Sequence, residues 1–176
     1  MRAKSTALRL STIAVYTAMV IAAQLMLSAI PGVELVTVLL ASFAAAFDRR
    51  MGALVAVAFS LLRCILFGFY PTVIILYISY YPLLALVFSF VGKIKNNTIQ
   101  LVVAVLSAAF MTVVFTFIDN LVTPLFYGYS AKLWKMYVMS SFSFMIPQII
   151  FVSLSVAALY LPLVALLKRI KKSMGF

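Results

Sequence analysis

Long apolar runs fill this chain almost end to end, and its charges are bunched in the short gaps between them. A soluble domain hides its apolar residues behind a surface that is roughly a quarter to a third Asp, Glu, Lys and Arg. Here the charged share is 10% and the hydrophobic share 66%. Too little polar surface exists to cover such runs in water, whereas crossing ~30 Å of hydrocarbon takes roughly 20 apolar residues. The expected fold class is therefore an all-α integral membrane protein. The first run is too long for the apolar core of a secretory signal and lacks a small-residue cleavage site ahead of polar sequence, so no removable leader is expected.

Turn and charge signals divide the runs into six spans within one transmembrane domain, residues 1–176. The first covers about 7–30 and stops at Pro31-Gly32. The second, 33–47, is closed by Asp48-Arg49-Arg50, and the third, 51–67, by Gly68-Phe69-Tyr70-Pro71. The fourth, 72–91, runs into Gly92-Lys93-Ile94-Lys95-Asn96-Asn97, and the fifth, 98–122, into Thr123-Pro124. Met136 to Leu167 is too long for one upright helix and too short for two. Pro147 suits a first helical turn, so the sixth span is set at 146–167 and residues 136–145 are read as a membrane-edge segment. One kinked helix is the alternative.

Charge gives the orientation. With six spans both ends share one side, and that side collects Arg2, Lys4, Arg9, Arg49, Arg50, Lys93, Lys95, Lys168, Arg169, Lys171 and Lys172. The opposite side has only Lys132 and Lys135, and Arg63 falls inside the third span. Cytoplasmic loops carry the excess of Lys and Arg, so a six-transmembrane-helix bundle with both termini cytoplasmic is expected. The same placement argues against nucleic acid as the reason for the net charge of +11, because the cations mark span ends rather than a folded face.

Several chemistries lack their residues. The chain has no His and one Cys, Cys64, so no metal, internal disulfide or nucleophile–His catalysis is expected, and no cofactor. No Gly-rich phosphate loop with Lys-Ser/Thr occurs, so active transport would draw its energy from a partner or an ion gradient.

Ionisable groups inside a membrane mark functional sites by default. Glu34, Arg63 and Asp119 are expected at similar depth in the outer half, with Gln24, Asn120, Tyr77, Tyr80, Tyr81 and Gln148 near them. An Arg63–carboxylate pair that merely neutralises itself is one reading, and a substrate site is the other. Tyr77 and Tyr81, one turn apart, suit a flat ring or simple packing. The aromatic stretch Thr123–Lys135 is a candidate lid. In the first span Ala7, Ser11, Ala14, Ala18 and Ala22 form a small-residue face of the kind that lets helices approach closely in lipid. Similar pairs, Gly52/Ala56 and Ala104/Ala108, are expected to be internal packing.

Over essentially its whole length the chain resembles the substrate-binding S component of energy-coupling factor (ECF) transporters, prokaryotic micronutrient importers of the ABC type. The likeness rests on size and layout, on Ala14-Val15-Tyr16-Thr17-Ala18 followed by Ala22, on Pro31-Gly32-Val33-Glu34-Leu35-Val36, and on Tyr77-Ile78-Ser79-Tyr80-Tyr81-Pro82-Leu83-Leu84. Gly32 stands where one branch of that family has Asn, a departure that keeps the turn. The resemblance implies a non-catalytic subunit of a prokaryotic cell membrane that captures a vitamin or precursor at its outer face. It implies docking on a transmembrane scaffold with two ATPase subunits through Ala14, Ala18 and Ala22. It also implies a substrate site of Glu34, Arg63, Tyr77, Tyr81 and Asp119, to which the residue reading adds Gln24, Asn120 and Gln148. The rivals are a solitary ion-coupled carrier, a membrane scaffold subunit and a lipid-acting enzyme built on carboxylates alone.

Overall fold

The computed structural model of the chain describes residues 2–27 and 35–175, with side chains in the first segment from residue 6 onward. Six helices make up almost all of it: α1 (Arg2–Leu27), α2 (Val36–Ala46), α3 (Arg49–Phe67), α4 (Pro71–Val91), α5 (Asn97–Tyr127) and α6 (Ala131–Ser173). No strand occurs among the described residues. Five of the helices are long and apolar enough to cross a membrane, and α2 is the short one.

The helices begin where the sequence supplies partners for free backbone N–H groups. Asp48 accepts from the Met51 N–H at 2.8 Å to open α3, and Asn96 accepts from Thr98 and Ile99 at 2.9 and 3.2 Å to open α5. Ser130 opens α6 through Leu133. Pro71 takes the first position of α4, where its missing N–H costs nothing.

Three expectations are corrected. Residues 136–145, read as a membrane-edge segment before a helix starting near Ile146, lie inside α6, which is continuous past Pro147 and Pro162. In hydrocarbon a non-helical stretch leaves every backbone group in it unsatisfied, a far larger cost than the one bond that Pro147 removes. The continuous-helix alternative is what forms. The stretch Thr123–Lys135 is not a lid, because α5 runs on through Pro124 to Tyr127 and only Gly128, Tyr129 and Ser130 turn the chain. Gly128 makes that turn in the left-handed region, at φ 62°. The second span, set at 33–47, is helical over Val36–Ala46, about 16 Å at ~1.5 Å per residue, half the hydrocarbon thickness. Residues 28–34, with Pro31, Gly32 and Glu34, lie outside the described residues.

Every residue of α2 is buried. It forms the axis of the bundle, packed against α1, α3, α4 and α6, with α5 outside against α4 and α6. Small side chains make this possible. A Cβ on Gly92 would lie 2.3 Å from the Ala45 carbonyl oxygen, and one on Gly52 would lie 3.1 Å from the Ala44 Cβ. Tyr16 ties α1 to the same axis by donating to the Leu39 carbonyl at 2.8 Å.

The outer helices are apolar on the outside. On α5, Ile99, Val102, Leu106, Phe110, Val113, Phe117 and Leu121 form one exposed stripe at helical spacing, while Ala104, Ala108, Met111 and Thr112 are buried opposite. That arrangement suits lipid as the solvent. The pairs Gly52/Ala56 and Ala104/Ala108 are internal, as expected, whereas Ala14, Ala18 and Ala22 are exposed.

The basic clusters gather at one end of the bundle. Arg9 of α1, Arg49 and Arg50 of α3, Lys93 beyond α4 and Lys168 and Lys171 of α6 line one cleft. The first turns of α1 and the last turns of α6 therefore lie at the same end. Lys132 and Lys135 begin α6 at the other.

Gly92→Ala is expected to lower stability by about 1–3 kcal/mol, because the added methyl meets backbone rather than a yielding side chain. Thermal unfolding in detergent checks this. A melting point equal to that of the parent would mean that α2 and α4 separate freely.

Candidate functional site

Two polar clusters occupy the half of the bundle remote from the basic end. The first lies on α3 and α4. Arg63 is one turn before the end of α3, and its guanidinium carbon is 4.7 Å from the Tyr77 ring centre and 5.0 Å from that of Phe67. Aromatic faces attract a desolvated cation by about 2 kcal/mol, so the rings help to hold the charge, and no carboxylate among the described residues pairs with it. Its buried Nε has no hydrogen-bond partner, and neither has the buried Oε1 of Gln24, near the end of α1 on the neighbouring helix.

The second cluster is built by the α5–α6 hairpin. Asp119 accepts two hydrogen bonds, from the Tyr137 hydroxyl at 2.6 Å and the Thr123 hydroxyl at 2.8 Å. Thr123 follows Asp119 by one turn of α5 and so shares its face. Tyr137 comes from α6, and the tight turn at Gly128 brings it opposite. The carboxylate borders a cavity of about 270 Å³ that also includes Phe115, Ser140, Ser141 and Gln148. Asn120 lies beside it, donating to the Ser141 hydroxyl at 2.9 Å while its buried Oδ1 has no partner.

Phe115 joins the clusters. Its ring centre is 6.1 Å from that of Tyr77 and 4.9 Å from that of Tyr80. Tyr81 sits behind, edge-on to Phe59, Tyr77 and Tyr80 and almost wholly buried. Of the two tyrosines offered for a flat ring, Tyr77 borders the cation and Tyr81 belongs to the packed core.

The expected residues thus fall into groups. Arg63 and Tyr77 are in direct contact, Asp119 and Gln148 share a cavity, and Asn120 adjoins it. Gln24 joins the first cluster by its level on α1. The Arg63–Asp119 ion pair does not form, since among the described residues the one ion pair is Arg9–Asp48 at 4.0 Å. Glu34 lies outside the described residues. Tyr137, Thr123, Ser141 and Phe115 were not singled out from the sequence. The Asp119/Thr123 spacing was a usable signal, but Tyr137 becomes visible only once α5 and α6 are paired as a hairpin.

Pro124 explains one further contact. A proline has no N–H to give to the carbonyl four residues back, which here is Asn120. The Trp134 indole N–H donates to that carbonyl at 3.0 Å instead. The bond fastens α6 to α5 directly above Asp119.

Comparison of the chain with protein-family models, with curated proteins and with solved structures gives no match in any of the three.

Trp134→Phe is expected to cost about 1–3 kcal/mol by leaving the Asn120 carbonyl unpaired. In a Pro124→Ala background, where the backbone N–H returns, the same change should cost clearly less. A double-mutant cycle on thermal unfolding reads the coupling, and additive costs would mean that the indole does not substitute for the helix bond.

Proposed function

We propose that this chain is the substrate-binding S component of an ECF-type micronutrient importer in a prokaryotic plasma membrane, with both termini cytoplasmic. One observation carries the reading. Arg63 and Asp119, opposite in sign and both partly buried in the half remote from the basic end, are held by neutral groups rather than by each other. A self-neutralising pair needs no ligand, whereas separated charges on an aromatic frame suit a small molecule that is polar or ionised at two points. The partnerless Arg63 Nε, Gln24 Oε1 and Asn120 Oδ1 supply one donor and two acceptors. Buried polar groups without partners are rare in native proteins, and a bound substrate would satisfy them.

Under this reading the bundle binds without catalysing, and partner ATPases supply the energy. The exposed face of Ala14, Ala18 and Ala22 supports a docking role, because small residues that pack against nothing inside the bundle remain for a helix outside it. The bound molecule would be a vitamin or precursor. A solitary ion-coupled carrier is the second reading, favoured by Asp119 as a carboxylate lining a cavity.

Native mass spectrometry of the protein from its own host tests the proposal. A small co-purifying mass is expected, lost on Arg63→Gln or Asp119→Asn; a charged hydrogen bond of about 1.5–3 kcal/mol corresponds to a roughly 10–100-fold weaker affinity. Ala14→Leu with Ala18→Leu should keep that mass and release the scaffold and ATPases. A protein that never carries partners, and whose uptake collapses with the proton gradient, would favour the solitary carrier.

A further inference from the structure

The basic end and an apolar groove next to it together have the form of a phospholipid. Arg9, Arg49, Arg50, Lys93, Lys168 and Lys171, contributed by the ends of four helices, surround one cleft of about 650 Å³. A basic end is what orientation in a membrane demands, but convergence on a single concavity goes beyond that. Among the described residues only Arg9 of the six has a carboxylate partner. Asp48 is the one carboxylate lining the cleft, and its oxygens already serve the Met51 N–H at 2.8 Å and Arg9 at 4.0 Å. Arg49 and Lys93 share the ring of Phe90, at 4.7 and 5.1 Å. Lys171 donates to the Ala46 carbonyl at 3.2 Å, which fixes its ammonium at the rim. Aromatic faces and carbonyls orient these cations and leave their charge for an anion.

The groove lies beside the cleft. α1 and α6 have no extensive packing between them, Thr12 of α1 donating to the Met174 sulfur just past α6 at 3.7 Å, and the gap of about 470 Å³ between them has α2 as its floor. Phe47 borders both cavities. On either wall groove residues flank the basic residues of the cleft, Leu8 and Ser11 about Arg9 on α1 and Leu167 and Ile170 about Lys168 on α6, so the two cavities adjoin side by side. Along α1 the groove reaches from Leu8 to Met19, about 17 Å at ~1.5 Å per residue. One leaflet of a hydrocarbon core ~30 Å thick is about 15 Å deep. Basic pockets between membrane helices take anionic headgroups.

We infer that an anionic phospholipid binds at this end, with its phosphate in the basic cleft and one acyl chain in the groove between α1 and α6. The site is separate from the polar clusters at the other end and does not depend on the transport reading. The groove also runs beside the Ala14–Ala18 face, so the lipid would form part of the surface that any helix meeting α1 encounters.

The test uses the full chain, delipidated and returned to mixed micelles with equal phosphatidylglycerol and phosphatidylcholine of the same acyl chains. Native mass spectrometry then counts the lipids retained. One phosphatidylglycerol is expected, preferred about tenfold or more, with the preference lost in Arg49→Gln/Arg50→Gln/Lys93→Gln. Lys132→Gln/Lys135→Gln at the opposite end should keep it. Val15→Trp, at an exposed position on the groove wall, should reduce retention of the lipid while leaving the melting point of the lipid-free protein unchanged. Equal retention of the two lipids, or an undiminished preference in the triple variant, would overturn the inference. Displacement of phosphatidylglycerol by inorganic phosphate at equal concentration would also overturn it, and would make the cleft a phosphate site alone.

Discussion

Lipid tails are as apolar as leucine, so water does not press membrane helices together, and what holds them is the closeness of their approach. In this chain that closeness is concentrated on α2. Its sequence ends in Phe-Ala-Ala-Ala, and Ala45 lies against Gly92 with no room for a further carbon, Ala44 against Gly52 with little. Four helices pack against α2, and the two cavities at the basic end are what is left between their ends. Being only 11 residues long, α2 serves one half of the bundle. The other half is filled by aromatic rings and polar side chains, with a cavity beside Asp119.

The polar residues divide by role in a consistent way. Hydroxyls on the helices, such as Thr112, Thr116 and Ser155, donate to carbonyls one turn back and so cost the membrane nothing. Arg63 and Asp119 have no such local solution. Each is held by neutral partners from a neighbouring turn or helix, and each keeps some of its hydrogen-bonding capacity unspent. Charges kept apart in a low dielectric have long reach. The frame that separates them, from Tyr77 through Phe115 to the α5–α6 cavity, is rigid aromatic packing.

Much of the fold could be read from periodicity alone, because a run of apolar residues in a bilayer has one stable outcome. The apolar stretches of α1, α3, α4 and α5 were legible for that reason, and so was the gathering of basic residues at one end. The prolines misled. Pro147 and Pro124 read as a start and a stop, yet both lie inside helices, since in hydrocarbon the alternative to a helix with one missing bond is many missing bonds. Correcting those boundaries turned an aromatic loop into a hairpin, and the hairpin supplied Tyr137 and Trp134. At the two polar clusters, residue type was enough to single out Arg63 and Asp119 as candidates. Their partners were not legible: an aromatic face under Arg63 and a phenol opposite Asp119 depend on which helices are neighbours, and single-sequence spacing does not carry that.

The unequal heights of the helices have a mechanical consequence. At ~1.5 Å per residue α3 and α4 stand about 28 and 32 Å tall, while α5 and α6 stand about 46 and 64 Å. One wall of the molecule fits a bilayer and the opposite wall outruns it. A flat membrane then meets hydrophobic mismatch on one side whichever way the bundle is set, at a cost of fractions of a kcal/mol per Å. Leaning shortens the reach of both walls along the membrane normal, which relieves the tall wall and opens a gap at the short one, so the two penalties change in opposite senses. The bilayer therefore holds this protein in place against leaving the membrane far more firmly than it fixes its inclination within it.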